Sequence, residues 1–459
     1  MTTTSSRKTV APDADVALAS SVDRAVSIER LRRIADPEER LVAYTRIVTE
    51  KVFNLGIANN VLLFDMLNKE VFTQVKLAEP DAEYVLPPYG QQDLLDPITT
   101  FLQHTFSPAI DAEYDVYATA GGSGALESLA FALIHGGVLA PGDRVLLPAP
   151  FWPGFLWCFE QRPQLRCVPA RLDGPDRLDL TVDALNRAYE AVSDPKPKLL
   201  VLTNPHNPLG VNYEKKLLED VCRWALDRQM HIVSDEIYAH SQSTGKGGFT
   251  SVLSLDAYAT APDRIHLVYG LTKDFGLSGF RIGFLVSKSN DVRKVMQGDE
   301  TWKSLSWFGP LDSLKAAYAR KMFGTTHEPG DFPTKLMQHY ATQLKAAHDK
   351  AAKKLDDEQI AYVGKGQNGR NAAQFFLLDL SKYLDSAKLP DDLVLINHEI
   401  DRREARLEAF LRTDAKVLLL PGGEMHCPRP GFFRLCYTAD TVERVGTAIT
   451  NIATSLKKL

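Results

Sequence analysis

Short apolar runs recur along the middle of the chain, and each ends in polar or small residues. They are Tyr114–Thr119, Arg144–Pro148, Lys198–Thr203, His231–Ser234, Ile265–Tyr269 and Arg281–Val286. Runs of this length without apolar–polar alternation are typical of strands that are buried on both faces of a sheet. The pattern therefore predicts an α/β fold, in which a mostly parallel sheet is covered by helices on both faces.

Longer patterns with helical spacing flank and interrupt this region. They predict helices at Val22–Thr49, Leu94–Thr105, Ala125–Ile134, Thr334–Gln359 and Val442–Lys457. Near the end of the chain, Phe375–Leu380, Lys416–Leu420 and Phe432–Tyr437 predict strands of a smaller α+β domain. We expect four parts: a disordered tail (1–20), an N-terminal segment joining the small domain (21–75), a large domain (76–325) and a small C-terminal domain (326–459).

Composition and charge narrow the class of partner. The chain has 459 residues, of which 44% are hydrophobic and 24% are charged, and its formal net charge is -5. Because charges of both signs are interspersed, we expect neither nucleic acid nor an anionic membrane surface as a partner. No apolar stretch reaches the length of a membrane-spanning helix.

The cysteines and the first residues bear on the cellular compartment. The five cysteines are an odd number and show no metal-ligand spacing, and no secretory signal is recognisable. Met1–Asp13 is rich in Thr and Ser, but Asp15 follows and no apolar arginine-bearing face develops, so we expect a tail rather than a transit peptide. We therefore expect a cytoplasmic protein with reduced thiols and no metal site.

Three polar groups directly follow predicted strands. Lys273 comes after Ile265–Tyr269, Asp235 ends His231–Ser234, and Asn204–Gly210 follows Lys198–Thr203. A single loop lysine is usually a solvated charge, and an aspartate is often a helix cap. Ligands of open α/β sheets, however, bind at the carboxyl ends of the strands. The shared position of the three groups therefore indicates a ligand site.

Other residues suit a flat ligand that carries a phosphate. Gly121–Gly124 can present backbone N–H groups to a phosphate at a helix start, although glycine-rich turns are common. Trp152 can stack on a ring, or it is a core aromatic. Arg434 lies in an apolar strand, where a planar cation suits a carboxylate. An amine, an anion, a phosphate site, a stacking ring and a carboxylate site are what pyridoxal 5'-phosphate (PLP) chemistry requires.

Together these motifs resemble fold-type I PLP-dependent enzymes of the class I/II aminotransferase superfamily. The resemblance is greatest to the branch that contains 1-aminocyclopropane-1-carboxylate (ACC) synthase. It runs from about Phe53 to the C-terminus, and the stretches that carry it are Gly56–Asn60, Ala120–Gly122, Phe151–Phe155, Asn204–Gly210, Ser234–Tyr238, Thr272–Phe284 and Pro421–Cys436. Within these, Thr272–Phe284 and the pair His426-Cys427 look more like the synthases than like ordinary aspartate aminotransferases.

The resemblance implies catalytic roles for a few residues. Lys273 would carry PLP as a Schiff base and then act as the base at the substrate Cα. Asp235 would pair with the ring nitrogen, while Tyr238 and Asn207 would hydrogen-bond the ring oxygen. Arg434 would bind the substrate α-carboxylate. A homodimer with a shared active site is also implied.

The resemblance implies a phosphate site and a stacking partner as well. Trp152 would stack on the ring. The phosphate would be held by Gly121, Gly122, Ser123, Thr272 and Arg281. The family usually has a serine three residues before the lysine, and here that position is Gly270, so Thr272 or another group would have to compensate.

Two further departures lie near the expected substrate. The synthases carry a glutamate where this chain has Asn59, and a tyrosine where it has Pro88. Tyr89 and Tyr84 are neighbours that can substitute for the missing tyrosine. The cofactor residues thus match the family more closely than the substrate residues do.

The branch implies S-adenosylmethionine as the amino-acid substrate. Its sulfonium is an excellent leaving group at Cγ, so removal of the Cα proton would lead to Cγ–S cleavage and release of methylthioadenosine. The γ-carbon would then either close into a cyclopropane, as in ACC synthase, or be transferred to a second small-molecule substrate. The alternatives are a conventional aminotransferase that makes a keto acid, a C–S lyase, and a non-catalytic regulatory module, against which the presence of Lys273 argues.

Overall fold

The computed structural model describes residues 52–83, 87–109, 115–172, 178–243, 248–298, 311–324, 331–365, 372–387 and 400–459. The expected tail, the predicted helix Val22–Thr49 and the candidate Tyr84 lie outside the described residues. Within the described part, no helix is both long and apolar enough to cross a bilayer.

Strands and helices alternate along the described chain. The strands are β1 (Phe53–Asn54), β2 (Asp115–Thr119), β3 (Arg144–Ala149), β4 (Arg166–Arg171), β5 (Leu199–Thr203), β6 (His231–Asp235), β7 (Ile265–Gly270), β8 (Gly283–Ser287), β9 (Phe375–Asp379), β10 (Val417–Leu418), β11 (Leu420–Pro421) and β12 (Phe432–Cys436). The α-helices are α1 (Phe64–Leu67), α2 (Gln92–Phe106), α3 (Gly121–His135), α4 (Gly154–Leu156), α5 (Val182–Ala191), α6 (Lys215–Asp227), α7 (Asp256–Thr260), α8 (Asn290–Met296), α9 (Ser313–Phe323), α10 (Phe332–Asp357), α11 (Arg402–Phe410) and α12 (Val442–Leu456).

The large sheet has seven strands in the order β2-β8-β7-β6-β5-β3-β4. Neighbouring strands are parallel except where β8 pairs with β2 and β7, and those two pairs are antiparallel. Strands β7, β6 and β5 lie side by side, so their carboxyl ends meet at one edge. The mostly parallel sheet of an α/β fold, predicted from the apolar runs, is confirmed.

Both faces of the large sheet are covered, which explains the unbroken apolar runs. Every residue of β5 is buried. Leu199 and Val201 join one core with residues of α3, whereas Leu200 and Leu202 join another with residues of α6. Successive side chains of a strand point to opposite faces, so a strand between two helical layers must be apolar at every position.

The C-terminal elements build a smaller unit around a three-stranded antiparallel sheet in the order β11-β12-β9. A separate parallel pair joins β1 to β10, with Phe53 opposite Val417. The backbone N–H of Cys436 also donates to the carbonyl of Leu55 at 2.8 Å. The segment that precedes the large sheet therefore packs with the end of the chain.

Three local expectations were wrong. Helix α3 begins at Gly121 rather than at Ala125, so the glycines form its first turn. Arg281 precedes β8 instead of lying in it, because its φ of 55° cannot continue a strand. The run Lys416–Leu420 is divided between β10 and β11, which pair in different sheets. In addition, strands β1 and β4 and the helices α1, α4, α5, α6, α7, α8, α9 and α11 were not predicted.

Candidate active site

The candidate residues gather at the edge where β5, β6 and β7 end. Asp235 is the last residue of β6, and Asn207 lies in the loop after β5. Lys273 follows β7 by three residues. Because the three strands are adjacent and parallel, their ends bring an amide, a carboxylate and an amine to one side of the sheet.

The Lys273 amine lies among groups from both ends of the chain. Its Nζ donates to the carbonyl oxygen of Ala58 at 2.7 Å. Burial lowers the pKa of this amine from its ordinary value of 10.5 to about 8. The neighbouring Arg434 and Arg281 lower the pKa further, whereas Cys436 and Asp235 oppose them. A lysine with a lowered pKa is more often neutral, and therefore more nucleophilic, near neutral pH.

Asp235 is a buried carboxylate that interacts electrostatically with this amine. It is 8% exposed, and its Oδ1 accepts from the backbone N–H of Ile237 at 3.3 Å. Burial raises the pKa of Asp235 to about 7, while the Ile237 N–H and Lys273 act in the opposite direction. No helix begins at Asp235, so the helix-cap alternative does not hold. A cation beside this carboxylate would keep it ionised.

Arg434 extends from β12 of the small sheet into the same site. It is 3% exposed, and its guanidinium donates to Asn207 Oδ1 at 2.8 Å and to the Gly56 carbonyl at 2.6 Å. The Phe375 ring lies 4.5 Å from the guanidinium carbon, and Tyr238 packs edge-on against that ring. Arg434 Nε is buried without a hydrogen-bond partner. The guanidinium therefore retains donor capacity for an anion.

A small cradle forms where the first turn of α3 meets the residues before β8. Gly121 has a φ of +81°, and a Cβ atom built on it would lie 2.5 Å from Nη2 of Arg281. The Thr272 hydroxyl is buried without a partner, and the Ser123 side chain hydrogen-bonds Cys158. A helix N-terminus, an arginine and hydroxyl groups are the donors that bind a phosphate.

The position of the family's serine is filled by close backbone packing. A Cβ atom on Gly270 would lie 2.9 Å from the carbonyl oxygen of Ile282. A Cβ atom on Gly283, its partner in β8, would lie only 2.2 Å from the backbone carbon of Gly121. Strand β8 and the first turn of α3 thus approach each other without side chains between them.

Three other predicted residues contact protein groups as follows. Trp152 packs edge-on against Phe155 and Trp157. Tyr89 packs edge-on against Tyr117 of β2. The backbone carbonyl of Asn59 accepts from Thr438 Oγ1 at 2.6 Å and from the Cys436 thiol at 3.5 Å.

Sequence reasoning missed two side chains that hold Lys273. Asn60 Nδ2 donates to the Lys273 carbonyl at 2.8 Å, and Gln374 Nε2 donates to the same oxygen at 3.2 Å. Asn60 ends the family-like stretch Gly56–Asn60, but the stretch itself does not indicate what this side chain binds. Gln374 is a polar residue directly before the apolar strand β9, and this was the available signal. Buried polar groups need partners.

The family profile for aminotransferase class I and II matches residues 50–452. The chain belongs to this aminotransferase family. It is 28% identical over 415 residues to 1-aminocyclopropane-1-carboxylate synthase 6 of Arabidopsis thaliana, a match that covers 87% of this chain and 77% of that protein. It is 30% identical over 403 residues to a probable aminotransferase of Claviceps purpurea, which covers 85% of each chain. The resemblance to the ACC synthase-like branch is confirmed.

Solved aminotransferases share the fold. Aspartate aminotransferase from Thermus thermophilus with maleate superposes with a TM-score of 0.66 at 21% identity, covering 97% of this chain and 100% of that one. The aromatic aminotransferase from Pyrococcus horikoshii OT3 gives 0.66 at 18% identity, covering 94% and 99%. The expected aminotransferase fold type I is thereby confirmed.

Membership of this family makes the protein a PLP-dependent enzyme that acts on an amino acid. The site fits this cofactor. The glycine cradle with Arg281 and the unpartnered Thr272 hydroxyl suit a phosphate, and the buried Asp235 suits a protonated ring nitrogen. Lys273 offers an amine whose pKa is lowered by burial and which interacts electrostatically with both Arg281 and Asp235.

Proposed function

We propose that Lys273 holds PLP through its amine and then removes the Cα proton of an amino acid. The main support is the position of the Arg434 guanidinium, which reaches the Lys273 site from β12. It is held by hydrogen bonds to Asn207 and Gly56, and its Nε has no partner in the protein. A fixed guanidinium would bind the α-carboxylate of the substrate and present its Cα hydrogen to Lys273.

The remaining residues would hold the cofactor and tune it. When bound, PLP accepts electron density from the substrate Cα. Asp235 would keep the ring nitrogen protonated, and Tyr238 with Asn207 would hydrogen-bond the ring oxygen. Trp152 would cover the ring. The phosphate would be bound by Gly121, Gly122, Ser123, Thr272 and Arg281.

The proposed substrate is S-adenosylmethionine, and the proposed bond cleavage is at Cγ–S. The support comes from the ACC synthase relatives, which match most of this chain, and from the branch-like stretches Thr272–Phe284 and Pro421–Cys436. The sulfonium takes the bonding electrons as methylthioadenosine leaves. In ring closure, the electron pair left at Cα forms the new bond to Cγ. In substitution, a Cβ proton is also lost, so that departure of methylthioadenosine leaves a double bond; the nucleophile adds at Cγ, and protons return to Cβ and Cα.

Two sequence positions favour γ-substitution by a second molecule over ring closure. Asn59 stands where the synthases have a glutamate, and its carbonyl is engaged by Thr438 and Cys436. Pro88 stands where they have a tyrosine, and it is buried. Both changes remove groups that the synthases place near the substrate, so we propose γ-substitution by a second small molecule. Ring closure is the other outcome of the same experiment.

Mass spectrometry after incubation of the purified holoenzyme with S-adenosylmethionine tests this proposal. The incubation is done alone and with candidate nucleophiles, and Lys273→Ala serves as the control. Methylthioadenosine that depends on Lys273 is the expected product, accompanied by a γ-substituted amino acid. Absence of methylthioadenosine under every condition would contradict the proposal.

A conventional aminotransferase is the second candidate. A relative from Claviceps purpurea that is named a probable aminotransferase is 30% identical to this chain over 403 residues. Transfer of the amino group would convert bound PLP to its amine form and release a keto acid. Substrate-dependent loss of the PLP absorbance together with a keto acid would favour this candidate.

A further inference from the structure

The backbone carbonyl of Lys273 is held by three donors from separate parts of the chain. They are the N–H of Gly276 at 3.1 Å, Asn60 Nδ2 at 2.8 Å and Gln374 Nε2 at 3.2 Å. A carbonyl oxygen has two lone pairs, so three donors saturate it. Both side-chain donors are buried, Gln374 completely. The peptide from which the Lys273 side chain extends is therefore fixed in space.

Gln374 connects this carbonyl to a buried chain of hydroxyl groups. Its Nε2 also donates to Tyr340 Oη at 2.7 Å, Tyr340 is 2.8 Å from Ser241 Oγ, and Ser241 donates to Asp274 Oδ1 at 2.6 Å. Asp274 Oδ2 accepts from the His240 N–H and from the Tyr269 hydroxyl. All of these side chains lie in the interior.

The charge of Asp274 determines which group donates and which accepts in each of these hydrogen bonds. Burial raises the pKa of Asp274 to about 7, and its donors oppose that rise. Above that pH the carboxylate only accepts, so Ser241 donates to it and Tyr340 donates to Ser241. The Tyr340 oxygen then accepts from Gln374, whose second N–H is aimed at the Lys273 carbonyl. The reverse orientation of the amide would place its oxygen against that carbonyl.

Stability alone does not account for a glutamine at this position. Gln374 Oε1 is buried without a hydrogen-bond partner. An unpaired buried acceptor is costly, and an apolar side chain of similar size would avoid the cost. The N–H groups of Gln374 are therefore the part of the side chain that the site uses.

We propose that Gln374 is a positioning residue for Lys273, linking the lysine peptide to helix α10 through Tyr340. The proposal rests on the proposed role of Lys273 as the PLP-bearing lysine. With the peptide fixed, the amine is held at one distance from Asp235 and Arg434. Loss of this donor would leave the Gly276 N–H and Asn60 on the carbonyl but remove the link to α10. The environment of the amine would change, while every group proposed to contact PLP stays in place.

The test is Gln374→Leu in the full-length holoenzyme, with the PLP absorbance titrated across pH and the kinetics measured at mildly alkaline pH. We expect PLP still to bind, but the pH midpoint of its absorbance change to move by about 0.5 pH unit or more. With S-adenosylmethionine, kcat should fall on the order of 10-fold to 100-fold while KM changes much less. Tyr340→Phe, which interrupts the hydroxyl chain, should shift the midpoint in the same direction.

Tyr437→Phe is the matched control. Its hydroxyl donates to the carbonyl of Ala373 at 2.8 Å, next to Gln374 but outside the path to Lys273. This variant should lower the thermal midpoint without moving the absorbance midpoint. An unchanged absorbance titration in Gln374→Leu would overturn the positioning role. Covalent PLP retained in Lys273→Ala would instead overturn the proposed function, so the two failures are distinguishable.

Discussion

Burial shifts the proton affinities of Lys273 and Asp235 in opposite directions. It lowers the pKa of the amine to about 8 and raises that of the carboxyl group to about 7. Their mutual attraction opposes both shifts, and the nearby arginines add to the lowering at Lys273. Both groups thus change charge close to neutral pH before the cofactor binds.

The lowered pKa of Lys273 predicts how the PLP-free enzyme takes up its cofactor. Only the neutral amine attacks the aldehyde, so the capture rate should rise with pH and reach half its maximum near 8 rather than near 10.5. Stopped-flow absorbance from neutral to alkaline pH measures this rate. Lys273→Ala should lack the covalent phase, and a midpoint near the ordinary value of 10.5 would contradict the prediction.

Removing the Thr272 hydroxyl should weaken PLP binding without destabilising the protein. Its hydroxyl is buried and has no partner in the protein, so Thr272→Val removes an unsatisfied group of the PLP-free protein. The thermal midpoint without PLP should be unchanged or higher, while the PLP dissociation constant should rise about tenfold. Calorimetry and fluorescence titration give the two values. Unchanged affinity would exclude Thr272 from the phosphate site.

At the scale of elements, strands β7 and β8 explain why the family's serine is absent. Gly270 and Gly283 face each other in the register, and neither has room for a Cβ atom. Because β8 packs closely against the first turn of α3, no side chain fits at these two positions. The consequence is a cradle made of backbone and Arg281.

Restoring that serine should damage the sheet rather than improve the site. In Gly270→Ser the new Cβ would meet the Ile282 carbonyl at 2.9 Å, and backbone cannot move aside as a flexible side chain can. We expect a loss of about 1–3 kcal/mol in unfolding free energy and no gain in PLP affinity. Urea unfolding and PLP titration measure both. Tighter PLP binding at undiminished stability would contradict this prediction.

Elements buried on both faces were predicted well, because continuous apolar runs leave one interpretation. The run Ile265–Tyr269 falls within one residue of β7. The run Lys416–Leu420 was misjudged, because its division depends on partners far away in the sequence: Phe53 for β10 and Arg434 for β11. Local pattern carries no information about such partners.

The candidate site was predictable to the extent that residue type reveals chemistry. Lys273, Asp235 and Arg434 are charged groups at the ends or in the middle of apolar strands, which marks them in the sequence. Asn60 and Gln374 act by donating to a backbone carbonyl, 213 and 101 residues distant along the chain. A polar Gln374 beside an apolar run marks a buried polar group but does not identify Lys273 as its partner, so the contact required the fold.

At the scale of the whole molecule, exposed apolar side chains agree with the dimer that the family resemblance implies. Phe64 is 59% exposed and Leu314 is 50% exposed. Phe64 contacts Phe72, which packs against Tyr318 of α9, the helix that also carries Leu314. Apolar side chains exposed on connected elements are typical of an interface.

We therefore expect the protein to sediment at twice its chain mass of 51.0 kDa. The double variant Phe64→Asp, Leu314→Asp should shift the equilibrium toward monomer, because charges would be buried without partners. Sedimentation equilibrium measures the change. Lys345→Asp, on an exposed face of α10, is a control that should remain dimeric. A variant as dimeric as the wild type would place the interface elsewhere.

The pairing of β1 with β10 has a consequence for how the enzyme is made. A ribosome adds about 5–20 residues per second, so Phe53–Asn54 waits on the order of tens of seconds for Val417–Leu418 to be synthesised. The carbonyls of Gly56 and Ala58, which accept from Arg434 and Lys273, lie just beyond that early strand. A nascent chain can thus complete the large sheet while Lys273, the proposed PLP-bearing residue, still lacks the contacts that the end of the chain supplies. Cofactor binding would then follow synthesis of the C-terminal strands.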